Sequence, residues 1–481
     1  MSSLKCTLLT SVVLSLFVTV LIAEESVINL GNRRELFVDK FIIESLDGLK
    51  LRLHEPLREG PAFAFDKPWE GRFSAYPTII KDGDLYRMYY RGLPDVEEGT
   101  VAVTCYAESK DGIVWTKPNL GIYEINGTKD NNVVLALHDK YSRSFSPMLD
   151  TRPGVPAERR FKAITGVEGK GLAAFISPDG IHWKMWQKEF IFTQGLFDSH
   201  NVAFWSASEG QYVCYFRTWT GEGFNGFRTI SRTTSKDFLN WTDPVAMDFG
   251  DTPMEHLYTN GTQPYFRAPH IYLALAKRFF PKKAALDESV SSGLVDNPKY
   301  AIASSDSIFM STRGGKVYDR SFMEAFIRPG DTTLDWVARD NTPALGLAEG
   351  DGRRLYIYRM SHYAQPSAHL DRYSLRLDGF VSVNASYEGG ELLSKSFRFS
   401  GGELEINYES SAAGELRVEL LDLNGDPILG YGLDDCLPIF GNEIERVVKW
   451  KDGSDVSALA GKAVKLRIAL NDADLYSFRF R

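Results

Sequence analysis

Short apolar runs that alternate with polar residues dominate this chain, and turns rich in Gly and Asp separate them. The stretch 74–90 shows the pattern: two apolar runs flank the turn 81–84, as in a β-hairpin. Four further paired runs follow the same plan, at 145–164, 198–216, 258–275 and 339–358. A period-two pattern in runs this short predicts strands, and five copies predict five sheets of similar size.

A short motif, Ser-x-Asp-(Gly/Phe)-x-x-Trp, recurs between these pairs. It begins at Ser109, Ser177 and Ser235, and a degenerate copy begins at Ser311. Each copy joins two strand-like runs and ends in an aromatic residue, which predicts a closed hairpin turn. Repeats that each hold several strands are typical of a β-propeller. We expect the motif's Asp to be structural, because a residue repeated in every blade does not mark a unique site.

The pattern changes after Asp378, where alternating runs and Gly or Asp turns follow one another closely, as in a compact β-sandwich. We therefore predict an all-β chain with a five-bladed β-propeller over 24–385 and a C-terminal β-sandwich over 386–481. Two early runs, 34–43 and 49–54, precede the first full repeat. We expect an early strand to complete the last blade and close the ring, which would remove an open sheet edge.

The first 23 residues have the pattern of an export signal. Lys5 supplies a positive charge, residues 7–22 are almost wholly apolar, and Ala23 is a plausible cleavage position. The alternative is an N-terminal membrane anchor. The signal predicts a secreted or periplasmic protein that does not contact the membrane after cleavage.

Composition narrows the function classes. The 481 residues carry a net charge of −8 and 13% aromatic residues, which indicates a globular protein and argues against nucleic acid as a partner. Cys105 and Cys214 lie within strand runs and are expected to be buried. No Cys or His pair has metal-ligand spacing, so we predict neither a metal site nor a cofactor. The sequence indicates no oligomeric state.

The topology of a propeller indicates where its catalytic and binding residues should lie. In a propeller, residues near the start of the innermost strands point into one mouth of an axial channel. The register of the hairpins gives Phe73, Asp198 and Arg339 equivalent positions on three blades. Carboxylates, cations, amides and aromatic rings that converge on one cavity suit a carbohydrate ligand, because polar groups bind hydroxyls and rings cover the apolar sugar face.

Four carboxylates are the catalytic candidates. Asp198 precedes a strand in which Asp is disfavoured, although it could cap a turn. Glu255 has apolar neighbours that could tune it as an acid, although it could be a solvated loop residue. Asp39 and Glu70 are further acids, and an ion pair is an equal alternative for Asp39. The residues expected to bind substrate are Arg72, Tyr76, Arg143, His200, Asn201, Tyr258, Asn260 and Arg339.

Several segments resemble the five-bladed propeller glycoside hydrolases, the superfamily of invertase-type β-fructosidases and of arabinanases and xylosidases. The chain is most similar to bacterial secreted proteins described as similar to the β-fructosidase N-terminal domain. The resembling segments are 36–39, 65–71, 74–77, 86–92, 197–201 and 378–382. The invertase motifs Asn-Asp-Pro-Asn-Gly, Arg-Asp-Pro and Glu-Cys are absent. The resemblance therefore implies the architecture and an axial carboxylate site, but no catalytic roles.

Together these features predict a secreted glycoside hydrolase that acts on a poly- or oligosaccharide. Two alternatives stay open. A non-catalytic propeller that binds glycan or protein would need only one carboxylate with aromatic residues. A glycoside phosphorylase would need extra cations for phosphate, and Arg72, Arg143 and Arg339 could supply them.

Overall fold

A computed structural model describes residues 27–95, 100–137, 139–337 and 339–481, and within these ranges five sheets form the blades of a β-propeller. The all-β, five-bladed prediction is confirmed. In blades one to three, four antiparallel strands follow one another in sequence order. The strands are Ala75–Asp82, Leu85–Gly92, Val103–Ser109 and Val133–Leu135 in blade one; Ser146–Leu149, Phe161–Val167, Gly171–Ser177 and Lys184–Met185 in blade two; and Val202–Ser206, Gln211–Trp219, Arg228–Ser235 and Val245–Ala246 in blade three.

Blades four and five depart from this plan. In blade four the inner strand is interrupted and consists of His256–Thr259 and Thr262–Tyr265. Both segments pair with the single long strand Ala268–Phe280. This long strand also pairs with Ser304–Thr312. Gly261, at φ +54°, stands in the interruption. Blade five holds the short inner strands Thr342–Pro343 and Ala348–Glu349, then Arg354–Ser361, His369–Arg376 and, from the N-terminal side, Leu57–Ala64.

The strand that closes the propeller ring differs from the one expected from the sequence. An early strand does close the ring, but it is Leu57–Ala64, and the runs at 34–43 and 49–54 do not take part. Glu35–Leu36 and Leu49–Leu53 pair instead with strands of the C-terminal domain. Leu30, Phe37 and Ile42 are buried in that domain's core, beside Trp450, and their burial explains the choice of partner.

The second domain therefore combines both ends of the described chain. Its two long strands, Leu404–Leu421 and Lys465–Phe480, pair with each other. Most of the remaining strands of this domain belong to the same hydrogen-bonded sheet. The other strands are Ile28–Gly31, Glu35–Leu36, Ile43–Asp47, Leu49–Leu53, Val381–Ala385, Gly390–Ser394, Phe397–Phe399 and Asn442–Val447. The short helices of the described chain are Asp139–Ser142, Glu288–Ser291 and Pro298–Ala301, with 3₁₀ turns at Ala157–Arg159, Thr333–Trp336 and Ser457–Leu459. None of these helices is long and apolar enough to cross a membrane.

The repeated motif forms the predicted hairpin turn. In blade three, Asp237 Oδ1 accepts hydrogen bonds from the backbone N–H groups of Leu239 (2.9 Å) and Asn240 (2.8 Å). Phe238 then takes a positive φ of 74°, the conformation that glycine adopts in the other complete copies. These turns follow the third strand of each blade, so they lie on the face opposite the start of the first strand.

Cys105, Cys214 and Cys436 are free thiols and are buried, as expected for the first two.

Candidate functional site

A cavity of about 860 Å³ opens where the innermost strands begin. Each blade contributes residues from the start of its first strand and the end of its second, because antiparallel neighbours bring these two positions together. Blade one provides Tyr76 and Arg91, and blade three provides Asp198 and Arg217. The cavity is therefore at the mouth predicted from topology.

Three bulky residues near the start of inner strands hold a left-handed backbone. Tyr76, Phe197 and Asn341 have φ values of 56°, 58° and 60°. Such angles are costly for residues other than glycine and cluster at functional sites. Tyr76 and Phe197 line the cavity directly, whereas the Asn341 amide donates to the backbone oxygens of Ser305 (2.8 Å) and Asp335 (3.2 Å). The surrounding blades thus hold these conformations in place.

Asp198 is one of the two carboxylates in the described lining of this cavity. Its Oδ2 forms an ion pair with Arg217, whose guanidinium is buried. Its Oδ1 is buried and has no hydrogen-bond partner. The preceding left-handed Phe197 and the following Ser199, whose hydroxyl donates to the Tyr258 backbone oxygen (2.8 Å), fix the loop. A buried carboxylate oxygen without a partner is rare in a folded protein and points to a missing ligand group.

Tyr258 is surrounded by four cations. The Arg217 guanidinium lies 4.6 Å from the ring centroid, the Lys277 ammonium 5.2 Å, and the guanidinium groups of Arg228 and Arg339 5.5 Å each. Burial alone would raise the pKa of the Tyr258 phenol, but the charges of Arg339 and Arg217 outweigh it and lower this pKa below its ordinary value.

Positive charge dominates the described part of the cavity wall, although the chain is acidic. Two carboxylates, Asp198 and Glu168, belong to the described lining. Nine basic residues line it: Arg91, Lys140, Arg143, Lys170, Arg217, Arg228, Lys277, Lys299 and Arg339. With a net charge of −8 over the sequence, this concentration of cations is local and would attract an anionic ligand.

Aromatic rings provide the apolar part of the wall. Tyr300 and Tyr363 stand edge to face with centroids 6.0 Å apart. The ring centroids of Trp219 and Phe224 are 5.7 Å apart, and Phe224 is 48% exposed. The indole Nε1 of Trp219 is buried and has no partner, so a ligand acceptor could satisfy it. Rings beside unpaired polar atoms form the mixed surface that carbohydrate binding requires.

Five of the twelve residues predicted from sequence line the cavity: Asp198, Tyr76, Arg143, Tyr258 and Arg339. Two more lie just behind the wall. His200 is buried 5.3 Å from the Tyr76 ring, with Nε2 3.2 Å from Thr78 Oγ1, and burial lowers its pKa to about 3, so the imidazole is neutral. Asn201 donates to the Ser199 backbone oxygen (2.9 Å).

The other predicted acids lie apart from the cavity lining, each in contact with cations. Glu255 pairs with Arg278 (3.1 Å) and Arg320 (2.7 Å). Asp39 pairs with Arg313 (2.8 Å), as its ion-pair alternative expected.

Glu70 is fully buried between the Tyr90 hydroxyl (2.5 Å) and the Lys117 ammonium (2.6 Å). Arg72 pairs with Asp95 (2.5 Å) and Asp296 outside the lining, and Asn260 is buried with its amide 3.4 Å from the Tyr215 oxygen. All these polar groups are already occupied by protein partners, so the structure gives them stabilising contacts instead of positions in the cavity.

The lining residues that were not selected from the sequence include Arg91, Arg217, Arg228, Lys277, Tyr300 and Tyr363. A signal existed for two of them. Arg217 and Lys277 interrupt apolar second strands at the end that meets the start of the first strand, where an unpaired cation is unexpected. Tyr300 lies within the short helix Pro298–Ala301 between two strands, so no strand register could place it.

No family model matches the sequence, and no curated protein matches it. Among solved structures, the chain is similar to one described as a glycoside hydrolase (12% identity, 67% of this chain and 92% of that chain covered, TM-score 0.45). It is also similar to an N-acetylgalactosamine deacetylase from F. plautii in complex with blood group B trisaccharide (11% identity, 69% of this chain and 96% of that chain covered, TM-score 0.44).

A third similar structure is a β-1,2-mannobiose phosphorylase from Listeria innocua in complex with β-1,2-mannobiose (12% identity, 68% of this chain and 97% of that chain covered, TM-score 0.42). These likenesses are too distant to assign a role to any residue. The cavity itself is therefore the basis for inferring the function.

No group of three or more His, Cys, Asp or Glu side chains within the described ranges could hold a metal ion.

Proposed function

We propose that the chain cleaves glycosidic bonds of a carbohydrate in this cavity, with Asp198 as the reacting carboxylate. The observation that carries the proposal is the state of Asp198: one oxygen is ion-paired with Arg217 and the other is buried without a partner, in a cavity walled by aromatic rings. Burying a carboxylate oxygen without a partner is costly, and a ligand hydroxyl or a reacting water would remove that cost.

Hydrolysis needs a group that accepts a proton from water and a group that donates one to the leaving oxygen. Asp198, whose Oδ2 is ion-paired with Arg217, suits the accepting or nucleophilic role. Tyr258 suits the donating role, because Arg339 and Arg217 lower the pKa of its phenol. Glu168, the second carboxylate of the described lining, lies in the turn before Gly171–Ser177 and is the alternative donor.

The test is product analysis on a panel of oligo- and polysaccharides. Asp198→Asn should reduce turnover at least ~100-fold, the usual contribution of general acid–base catalysis, in a variant that melting curves show to be folded. The matched control is Asp237→Asn in the repeated turn, which should keep full activity. Tyr258→Phe and Glu168→Gln then identify the donor. If Asp198→Asn cleaves the panel as fast as the wild type, the proposal is wrong.

Phosphorolysis is a second candidate, which the nine basic residues of the lining favour. A phosphate held by cations can replace the activated water as nucleophile, and a single carboxylic acid is then sufficient. Running the same panel with and without phosphate separates the two reactions, because phosphorolysis yields a sugar phosphate. A chain that binds glycans and releases no product in either condition would be a binding module.

We also propose that the mature protein acts outside the cytoplasm. Residues 1–23, with Lys5 and the apolar run 7–22, support export, and they lie outside the described residues. N-terminal sequencing of the protein recovered from an exporting host should find a chain that begins at Glu24. An intact Met1 in that fraction would contradict cleavage.

A further inference from the structure

The four cations around Tyr258 are poorly compensated by the protein. Arg217 pairs with Asp198, the one ion pair that any of the four makes to a carboxylate among the described residues. Arg339 contacts the rings of Tyr258 and Tyr300, and within the described ranges its guanidinium has no hydrogen-bond or ion-pair partner.

The other two cations have neutral partners. Arg228 Nη1 lies 3.4 Å from His256 Nδ1, and the Lys277 ammonium donates to the Arg339 backbone oxygen and to Thr342 Oγ1 (3.0 Å). The Nε atoms of Arg217 and Arg228 are buried and lack any hydrogen-bond partner. Arg217 is only 3% exposed, so bulk solvent compensates little of its charge.

Repulsion acts on two of the four cations, Arg228 and Lys277. Burial would lower the pKa of Arg217 and of Arg339, but Tyr258 and, for Arg217, Asp198 outweigh it and raise both pKa values. Burial and the charges of Arg217 and Arg339 lower the pKa of Arg228 to about 10. Burial also lowers the pKa of Lys277 well below its ordinary value, with further contributions from Arg339 and Arg228, although Asp340 opposes the shift. Cations that are held together against repulsion are typical of a site that awaits an anion.

We infer that this cluster, Arg217, Arg228, Lys277 and Arg339 around Tyr258, is an oxyanion-binding subsite of the cavity. It takes a carboxylate or sulfate group carried by an acidic sugar, or a free phosphate that accompanies a neutral one. Planar guanidinium forks bind such groups through paired charge-assisted hydrogen bonds, and the free Nε–H groups are donors of this kind. The inference rests on the proposed function for the assumption that the remaining part of the ligand is a sugar.

Calorimetric titration of the full mature chain tests the subsite without requiring turnover. The probes are glucuronate, sulfate, inorganic phosphate and, as the neutral reference, glucose. At least one anionic probe should bind ten times more tightly than glucose, and its affinity should fall as ionic strength rises. Arg339→Gln and Arg228→Gln should each weaken that binding at least tenfold.

The matched control is Arg354→Gln, a surface arginine at the other end of its blade, which should keep the wild-type affinity. Melting curves of each variant confirm that it is folded. Binding of glucuronate but not phosphate identifies an acidic sugar as the source, and binding of phosphate alone identifies a free co-substrate. The inference is overturned if no anionic probe binds more tightly than glucose, or if both cavity variants bind as the wild type does.

The outcomes separate this inference from the proposed function. Anion binding with no cleavage of any glycan would refute the function and keep the subsite. Cleavage of a glycan without anion binding would refute the subsite and keep the function.

Discussion

Two arginine-rich clusters of the molecule differ in how their charges are compensated. At the junction of the propeller and the second domain, the buried Arg34 donates to Ser477 (3.0 Å), pairs with Glu405 and lies 3.6 Å from Asp378. Asp378 in turn accepts from the Tyr265 hydroxyl (2.7 Å) and pairs with Arg267 (3.2 Å). Every charge in this junction cluster has an opposite charge beside it.

The cavity cluster around Tyr258 has four cations and one carboxylate partner, Asp198. Both clusters combine arginine side chains with a carboxylate and a tyrosine. The difference indicates that the junction cluster holds the two domains together, whereas the cavity cluster is organised for a ligand that the protein does not supply.

The largest effect is expected at the junction. Arg34→Gln leaves the carboxylates of Glu405 and Asp378 buried, with less positive charge beside them. Removing one partner of a buried pair costs about 3–5 kcal/mol, so the free energy of unfolding should fall by that amount in a urea titration. A loss below about 1 kcal/mol would mean that the junction cluster does not stabilise the fold.

Acid should weaken the same junction. Burial would raise the pKa of Glu35, but the hydrogen bond with His270 and the charges of Arg313, His270 and Arg33 lower it to about 2. A lowered carboxyl pKa contributes stability that is present above the unfolded value of about 4.5 and is lost as the pH falls toward 2, about 3 kcal/mol in all. Glu35→Gln should therefore lose less stability than the wild type between pH 6 and pH 3. Parallel losses in the two proteins would contradict this assignment.

A smaller effect is expected at the repeated turn, which belongs to neither cluster. Asp237→Ala removes two hydrogen bonds to backbone N–H groups and should lower the free energy of unfolding by about 1 kcal/mol, with activity unchanged. Urea titration and turnover on the same preparation check both parts. A loss of activity without a loss of stability would mean that the turn contributes to function and is not only structural.

The sequence predicted the elements that depend on local pattern. Alternation and the Ser-x-Asp turns predicted five blades because each hairpin is specified within a few residues, and the same register singled out Asp198. The partner of the run 34–43 was not local: strand pairing there depends on burial of Phe37 against residues over 400 positions away, such as Phe478. Glu255 failed to reach the cavity for a similar reason, since its contacts with Arg278 and Arg320 arise only from tertiary packing.

The most direct test of the contrast is a paired urea titration of Arg228→Gln and Arg34→Gln without ligand. Arg228 forms no ion pair with a described carboxylate, and its charge is repelled by Arg217 and Arg339. Arg228→Gln should therefore unfold with a free energy equal to the wild type or up to about 2 kcal/mol above it, while Arg34→Gln loses about 3 kcal/mol or more. If Arg228→Gln loses as much stability as Arg34→Gln, the cavity cations support the fold, and the account of them as a ligand site is contradicted.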